Sequence, residues 1–186
     1  MSKKSIKNRY ALNKNKYLLE PEVERLNYIL NSFKDKDPRN CTMLWVLLHS
    51  GARAQEVLNL KPEDLNAFDQ SVFIRGIKGS NDREIPMPGW LFERLEREAG
   101  RAGADNNSTG VIFPITYNRL RQIWDLFRPV HKKLHGLRHT FAIRLYQKTK
   151  DIRLVQVALG HRNITNTMIY ADYAYSQQEL RKLILE

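Results

Sequence analysis

His135-Gly136-Leu137-Arg138-His139-Thr140-Phe141-Ala142 opens a stretch that reads as one helix, over about residues 135–148. Residues three and four apart share a helix face, so His135, Arg138 and His139 fall within one arc of roughly 100°. The opposite side carries Leu137, Phe141 and Leu145, which would face a core. The spacing thus predicts an amphipathic helix pointing a cation and two imidazoles outward together. Cations packed this way repel one another, and such a cluster is stable mainly when an anion arrives. The chain carries 31 Lys and Arg against 20 Asp and Glu, a net charge of +11, so the obvious anion is a phosphate.

That charge balance fits a nucleic-acid partner, with an anionic membrane surface as the weaker alternative. The 186 residues suffice for one well-buried domain, and 42% apolar with 27% charged residues is ordinary for a globular protein. No run approaches a membrane span, and the basic N-terminus lacks the apolar stretch of a secretory signal. A soluble protein is expected. Cys41 is the single cysteine, which leaves no internal disulfide or cysteine-based zinc site and fits a cytoplasmic setting.

Outward from the central helix, the chain divides into three parts. Residues 1–18, with Lys3, Lys4, Lys7, Arg9, Lys14 and Lys16, read as a flexible basic arm. Residues 19–173 form the main domain. Pro21 opens its first helix, and residues 42–49 are apolar almost all round, as in a central core helix ended by Gly51. A short helical piece over 55–60 and a polar turn at 61–64 follow. Residues 71–77 and 83–86 make the one convincing strand pair, with Lys78-Gly79-Ser80-Asn81-Asp82 as turn chemistry between them. Helices are expected over 90–99, from a Thr116 cap to Phe127, and from an Asp151 cap to a stop at Gly160. A short extended piece is expected at 111–113 and a short helix at 167–170. Residues 174–186 form an amphipathic tail helix whose Leu180, Leu183 and Ile184 need a hydrophobic partner. The fold class is mainly α with a small antiparallel β-sheet (α+β).

Taken singly, the polar residues have bland readings. Arg53, just past a glycine-ended helix, would normally be solvated surface, although Glu56 three residues on could pair with it. Lys78 at a hairpin tip is ordinary solvent decoration. His135 and His139 could be half of a zinc site, but Arg138 sits between them and no acidic ligand neighbours them. His161 could simply face a helix C-terminus, and Tyr170, near Tyr173 and Tyr175, could be packing.

In combination and in order, these pieces resemble the tyrosine recombinases, the lambda-integrase-like family of site-specific DNA recombinases. Ser50-Gly51-Ala52-Arg53-Ala54-Gln55-Glu56, with Leu60 and Asp64, resembles the family's first arginine motif. Lys78 followed by Arg83-Glu84-Ile85-Pro86 is similar to its lysine-bearing β-hairpin. His135-Gly136-Leu137-Arg138-His139 resembles its His-x-x-Arg box, and Leu159-Gly160-His161 with Thr167 and Tyr170 resembles its nucleophile box.

The resemblance implies the fold of the recombinase catalytic domain and a transesterification on DNA. Tyr170 would attack the scissile phosphate, leaving a 3′-phosphotyrosine and a free 5′-hydroxyl. A free phenolate at pH 7 costs roughly 4 kcal/mol, so a group must take the proton, and His135 is the candidate. Arg53 and Arg138 would clamp the phosphate oxygens, His161 would add a hydrogen bond, and Lys78 would protonate the leaving oxygen. Glu56 and His139 would hold these groups in place. The phosphotyrosine conserves the bond's free energy, so neither ATP nor a metal or other cofactor is expected. The implied partners are double-stranded DNA at a specific site, further copies of the chain in a homotetramer on DNA (a monomer when free), and accessory DNA-bending proteins. Many relatives carry a DNA-clamping helical domain ahead of the catalytic one, where here only the arm and one or two helices precede Arg53. That suggests either a minimal recombinase or an excised catalytic domain. A type IB topoisomerase, a telomere resolvase and an inactive DNA-binding regulator would share the fold and stand as alternatives.

Overall fold

The computed structural model describes residues 12–77, 79–104, 110–173 and 177–185, so Lys78, Tyr175 and residues 1–11 of the arm lie outside it. Helix α1 (Glu20–Phe33) has the expected proline in its first turn, and the Glu22 carboxylate accepts the Leu19 N–H at 2.7 Å. Helix α2 (Pro38–Ser50) is buried along nearly its whole length, from Cys41 to Leu48, and is the pillar of the main core. It begins at Pro38, four residues ahead of the predicted start. A proline in the first turn has no N–H to lose there, and its polar neighbours conceal it in a hydropathy pattern. Gly51 ends α2 with φ 60°, and a Cβ at that position would meet the Phe141 ring at 2.3 Å. Glycine is therefore required there for both backbone and space.

Helix α3 (Ala54–Leu58) leads to a three-stranded antiparallel sheet of β1 (Leu65–Asn66), β2 (Ser71–Ile74) and β3 (Arg83–Pro86), in chain order. Val72 pairs with Ile85 and Ile74 with Arg83, which turns Val72, Ile74 and Ile85 into the core. Strand β1 is two residues long, too short for any alternation to show. Strand β2 stops at Ile74 rather than Ile77, because the Gly76 N–H is drawn to Asp82 Oδ1 at 2.6 Å. Residues 111–113 form no strand. The Ile112 N–H donates to the Leu60 carbonyl at 2.8 Å, and Ile112 and Phe113 are buried.

Helices α4 (Gly89–Ala104) and α5 (Tyr117–Phe127) follow, α5 capped by Thr116 as expected. The organising helix α6 (Gly136–Thr149) packs against α2. Asp151 caps α7 (Ile152–Leu159) through the N–H groups of Arg153 and Leu154, and Gly160 ends it with φ 68°. Short 3₁₀ helices, Ile164–Asn166 and Met168–Tyr173, lead to α8 (Gln177–Leu185). Leu183, Ile184 and Leu185 of α8 are largely exposed.

Residues 12–18 correct the reading of a flexible arm up to Leu18. Leu12, Tyr17 and Leu18 are buried, and the first two join Ala142, Ile143, Val155, Leu159 and Tyr170 in a second, smaller core. Tyr173 Oη donates to the Leu12 carbonyl at 2.7 Å, and the Leu18 N–H donates to Thr140 Oγ1 at 2.8 Å. The lysines of this segment set its average character, but three apolar side chains fix its place. Among the described residues, no helix is long and apolar enough to cross a membrane.

Candidate active site

The first arginine is aimed by its own helix. Glu56 stands three residues into α3, where its Oε2 accepts the Arg53 backbone N–H at 2.8 Å and its Oε1 accepts Arg53 Nη1 at 3.1 Å. Arg53 Nη1 also donates to Ser80 Oγ at 2.7 Å, which ties α3 to the β2–β3 loop. The other guanidinium face opens on a cavity of about 460 Å³, lined by Arg53, Gln55, Ile77, Tyr117, His135 and Arg138 among others. Lys78 follows Ile77 in sequence but lies outside the described residues.

Arg138 differs from the predicted outward cation. It is 3% exposed, with Nη1 donating to the Gly51 carbonyl at 2.6 Å and Nη2 to the Leu159 carbonyl at 2.9 Å. Those carbonyls are the unpaired ends of α2 and α7, brought in from elsewhere in the chain, and they compensate a cation that its own helix leaves bare. Arg138 Nη2 also lies 2.9 Å from His161 Nε2. With Nε2 accepting, His161 Nδ1 carries the proton and donates to Thr167 Oγ1 at 3.0 Å.

His139 is likewise buried, at 5% exposure, and its Nδ1 lies 2.9 Å from Tyr170 Oη. Tyr170 is 1% exposed, at home in the smaller core. His135, by contrast, is exposed, lines the cavity, and meets the His139 ring edge-on at 4.7 Å. So the phenol touches His139, while His135 faces the space in which an anion would lie. Arg53, Arg138, His135, His139, His161, Glu56 and Tyr170 thus form one contiguous constellation. Ser80 and Arg83 also belong to it, although spacing assigns them only to a turn and a strand.

Burial and neighbouring cations keep the imidazoles neutral. Burial, then the positive neighbours, pushes His139 down to about 3 and His161 to about 4, and lowers His135 for the same reasons. Burial next to Arg53 and Arg83 takes Arg138 down to about 9, so it stays charged at neutral pH. For Glu56, burial would raise the carboxyl, but hydrogen bonds from Arg83 and the Arg53 backbone hold it below the usual range. An anion between Arg53 and Arg138 would offset the part of this lowering that comes from the positive neighbours.

The same shifts set a dependence of stability on pH. His139 and His161 bind protons in the unfolded chain below about pH 6.5 but resist them when folded, so stability is complete above that pH and is lost as pH falls. At about pH 5 the loss is roughly 2 kcal/mol for each. Thermal unfolding of the DNA-free protein is expected to drop by about 10 °C between pH 7 and pH 5. A melting temperature flat across that window would show that the imidazoles titrate normally.

Comparison with known proteins gives the family of the chain. The profile of the phage integrase family matches residues 16–177, nearly the whole of the chain. The chain belongs to the phage integrase family. Among curated members, a tyrosine recombinase of Pseudothermotoga lettingae is 35% identical over 161 residues, covering 83% of this chain and 55% of that protein. This family member thus spans little more than half the length of that relative. Among solved structures, the XerH site-specific recombinase bound to a palindromic difH substrate, in a post-cleavage complex, superposes with a TM-score of 0.75 at 24% identity. That match covers 96% of this chain and 57% of XerH. The catalytic domain of bacteriophage HP1 integrase matches with a TM-score of 0.66 at 23% identity, over 92% of this chain and 95% of that domain. The fold of this phage integrase family member is therefore that of a tyrosine recombinase catalytic domain, mainly α with a small antiparallel sheet, as expected.

Proposed function

We propose that this chain is the catalytic domain of a site-specific DNA recombinase, which cuts and rejoins DNA by transesterification through a 3′-phosphotyrosine, without metal or ATP. The observation that carries this reading is the convergence of Arg53, Arg138 and His135 on one cavity, with His161 one hydrogen bond behind it and Tyr170 bonded to His139, whose ring meets His135. Two fixed guanidinium groups suit a tetrahedral phosphate whose charge grows in the transition state. Attack forms the Tyr170 Oη–phosphorus bond and breaks the bond to the 5′-oxygen. The phenolic proton goes to an imidazole, and the leaving oxygen takes one from Lys78. His139 is the imidazole already on the phenol, and His135 is the one beside the phosphate. They touch each other, so only one carries the transferred proton at a time.

Because Tyr170 is buried, the Met168–Tyr173 turn shifts toward the cavity when DNA binds, and His161 leaves Arg138, takes a proton on Nε2 beside the anion and donates it to a phosphate oxygen. The partner is double-stranded DNA, held on one face by the basic surface and therefore strongly salt-dependent. Further copies form a tetramer on DNA, with the exposed Leu183 and Ile184 of α8 docking on a neighbouring protomer. Such an enzyme works in the cytoplasm, where accessory DNA-bending proteins can shape its sites.

The test uses supercoiled plasmid at low salt with EDTA and without ATP. Relaxed plasmid, together with protein that stays on a DNA 3′ end after denaturation, is the expected result. DNA binding with no adduct would favour a regulator on the same fold. Relaxation without exchange between cognate sites would favour a topoisomerase.

A further inference from the structure

We infer that Arg83 is a positioning residue for DNA cleavage, holding the Glu56 carboxylate that aims Arg53 and fixing the end of α7 that carries His161; this rests on the function proposed above. Arg83 sits on β3 with its side chain 3% exposed, and Glu56 opposite is fully buried. One guanidinium reaches two other elements. Its Nη2 donates to Glu56 Oε2 at 2.7 Å, and its Nε donates to the Ala158 carbonyl at 2.9 Å. The remaining nitrogen, Nη1, is buried without a hydrogen-bond partner among the described residues. It is packed so closely on Gly160 that a Cβ there would lie 3.0 Å away.

Stability alone does not account for this arrangement. A buried ion pair loses in desolvation about what it gains in attraction, and an apolar pair of similar volume would join the three elements as firmly. A buried N–H without a partner adds a further cost. What an apolar pair could not supply is direction. With Arg83 on Oε2, the Glu56 carboxylate has one orientation, in which Oε1 faces Arg53 Nη1 and Oε2 also meets the Arg53 backbone N–H. The planar fork does this where a lysine, a single point charge, would not.

Ser80 repeats the connection three residues earlier. It accepts from Arg53 Nη1, donates from Oγ to the Gly160 carbonyl at 2.9 Å, and pairs in a bridge with His161, while the Asn81 N–H also donates to Gly160. Hairpin, first arginine and His161 turn are thereby locked as one piece. Arg83 is the buried charge at its centre.

The experiment compares wild type, Arg83→Lys and Arg83→Met for initial rates of covalent adduct on supercoiled plasmid. DNA affinity is measured by gel shift and folding by thermal unfolding. Arg83→Met is expected to lower adduct formation roughly 10- to 100-fold with affinity almost unchanged, and Arg83→Lys to restore only part of it. The rate of Arg83→Met should also fall toward acid from a higher pH than wild type, because Glu56 without Arg83 is harder to ionise. Adding Arg83→Met to Glu56→Gln should cost clearly less than the product of the two single losses, since both act in part through one carboxylate.

Wild-type rates in a folded Arg83→Met protein, or full additivity with Glu56→Gln, would overturn the assignment and leave the recombinase reading intact. If Arg83→Met does not fold, the same comparisons with Arg83→Lys decide. If wild type itself binds plasmid and forms no adduct, the recombinase reading fails and this inference with it.

Discussion

Tyr170→Phe is expected to leave a folded, DNA-binding protein that forms no covalent DNA adduct. The ring fills the smaller core beside Ala142, Ile143 and Leu159, and phenylalanine keeps that packing intact. The substitution removes the hydroxyl that lies 2.9 Å from His139 Nδ1, at a cost of about 1 kcal/mol in stability. The chemistry loses everything, because among the described residues no other phenol stands beside His139. Tyr173 has its hydroxyl on the Leu12 carbonyl, on the side of the N-terminal segment. The measurement is denaturation-resistant protein on plasmid 3′ ends, with a gel shift alongside. An adduct in the Tyr170→Phe protein would move the nucleophile to Tyr173 or Tyr175 and sink the assignment of roles.

The site was legible in the chain where its chemistry is local and illegible where partners are remote. Gly51 as a helix stop, Arg53 with Glu56 three residues on, and His135 with His139 one turn apart all follow from helical spacing, and the structure has these contacts. The α2 core also shows in an unbroken apolar run. The burial of Arg138 does not. A helical wheel counts only one helix, and by that count Arg138 lies on a polar arc. Its partners are carbonyls 87 and 21 residues away in sequence, at the ends of two other helices. The roles of Ser80 and Arg83 were hidden for a related reason. Turn and strand chemistry explain both residue types adequately, and their contacts with Glu56, Ala158 and Gly160 exist only once the hairpin folds back on α7. Leu12 and Tyr17 were masked by the lysines around them. Their packing depends on a cleft beside α6 and the Met168–Tyr173 turn that no local pattern describes.

The Arg138 environment leads to the second large effect. Arg138→Lys retains a positive charge and is expected to lower adduct formation roughly 10²- to 10³-fold. In the folded protein the guanidinium already holds the Gly51 and Leu159 carbonyls and contacts His161 Nε2. A phosphate in the cavity would meet a fork whose plane is set by those two carbonyls, which is a preorganised donor requiring no rearrangement as charge develops. A lysine ammonium has three donors on a single nitrogen and cannot span both helix ends and the cavity. It would leave at least one buried carbonyl unpaired, at about 1–3 kcal/mol of stability. His161 would also lose the neighbour that stations its Nε2. Long-range attraction for DNA depends on charge rather than on the fork, so affinity and its salt dependence should change little. Single-turnover adduct formation at saturating DNA separates the two quantities. A rate within about threefold of wild type would mean that charge alone serves at this position. A matched loss of affinity and rate would mean that Arg138 acts in binding DNA and not in stabilising the transition state.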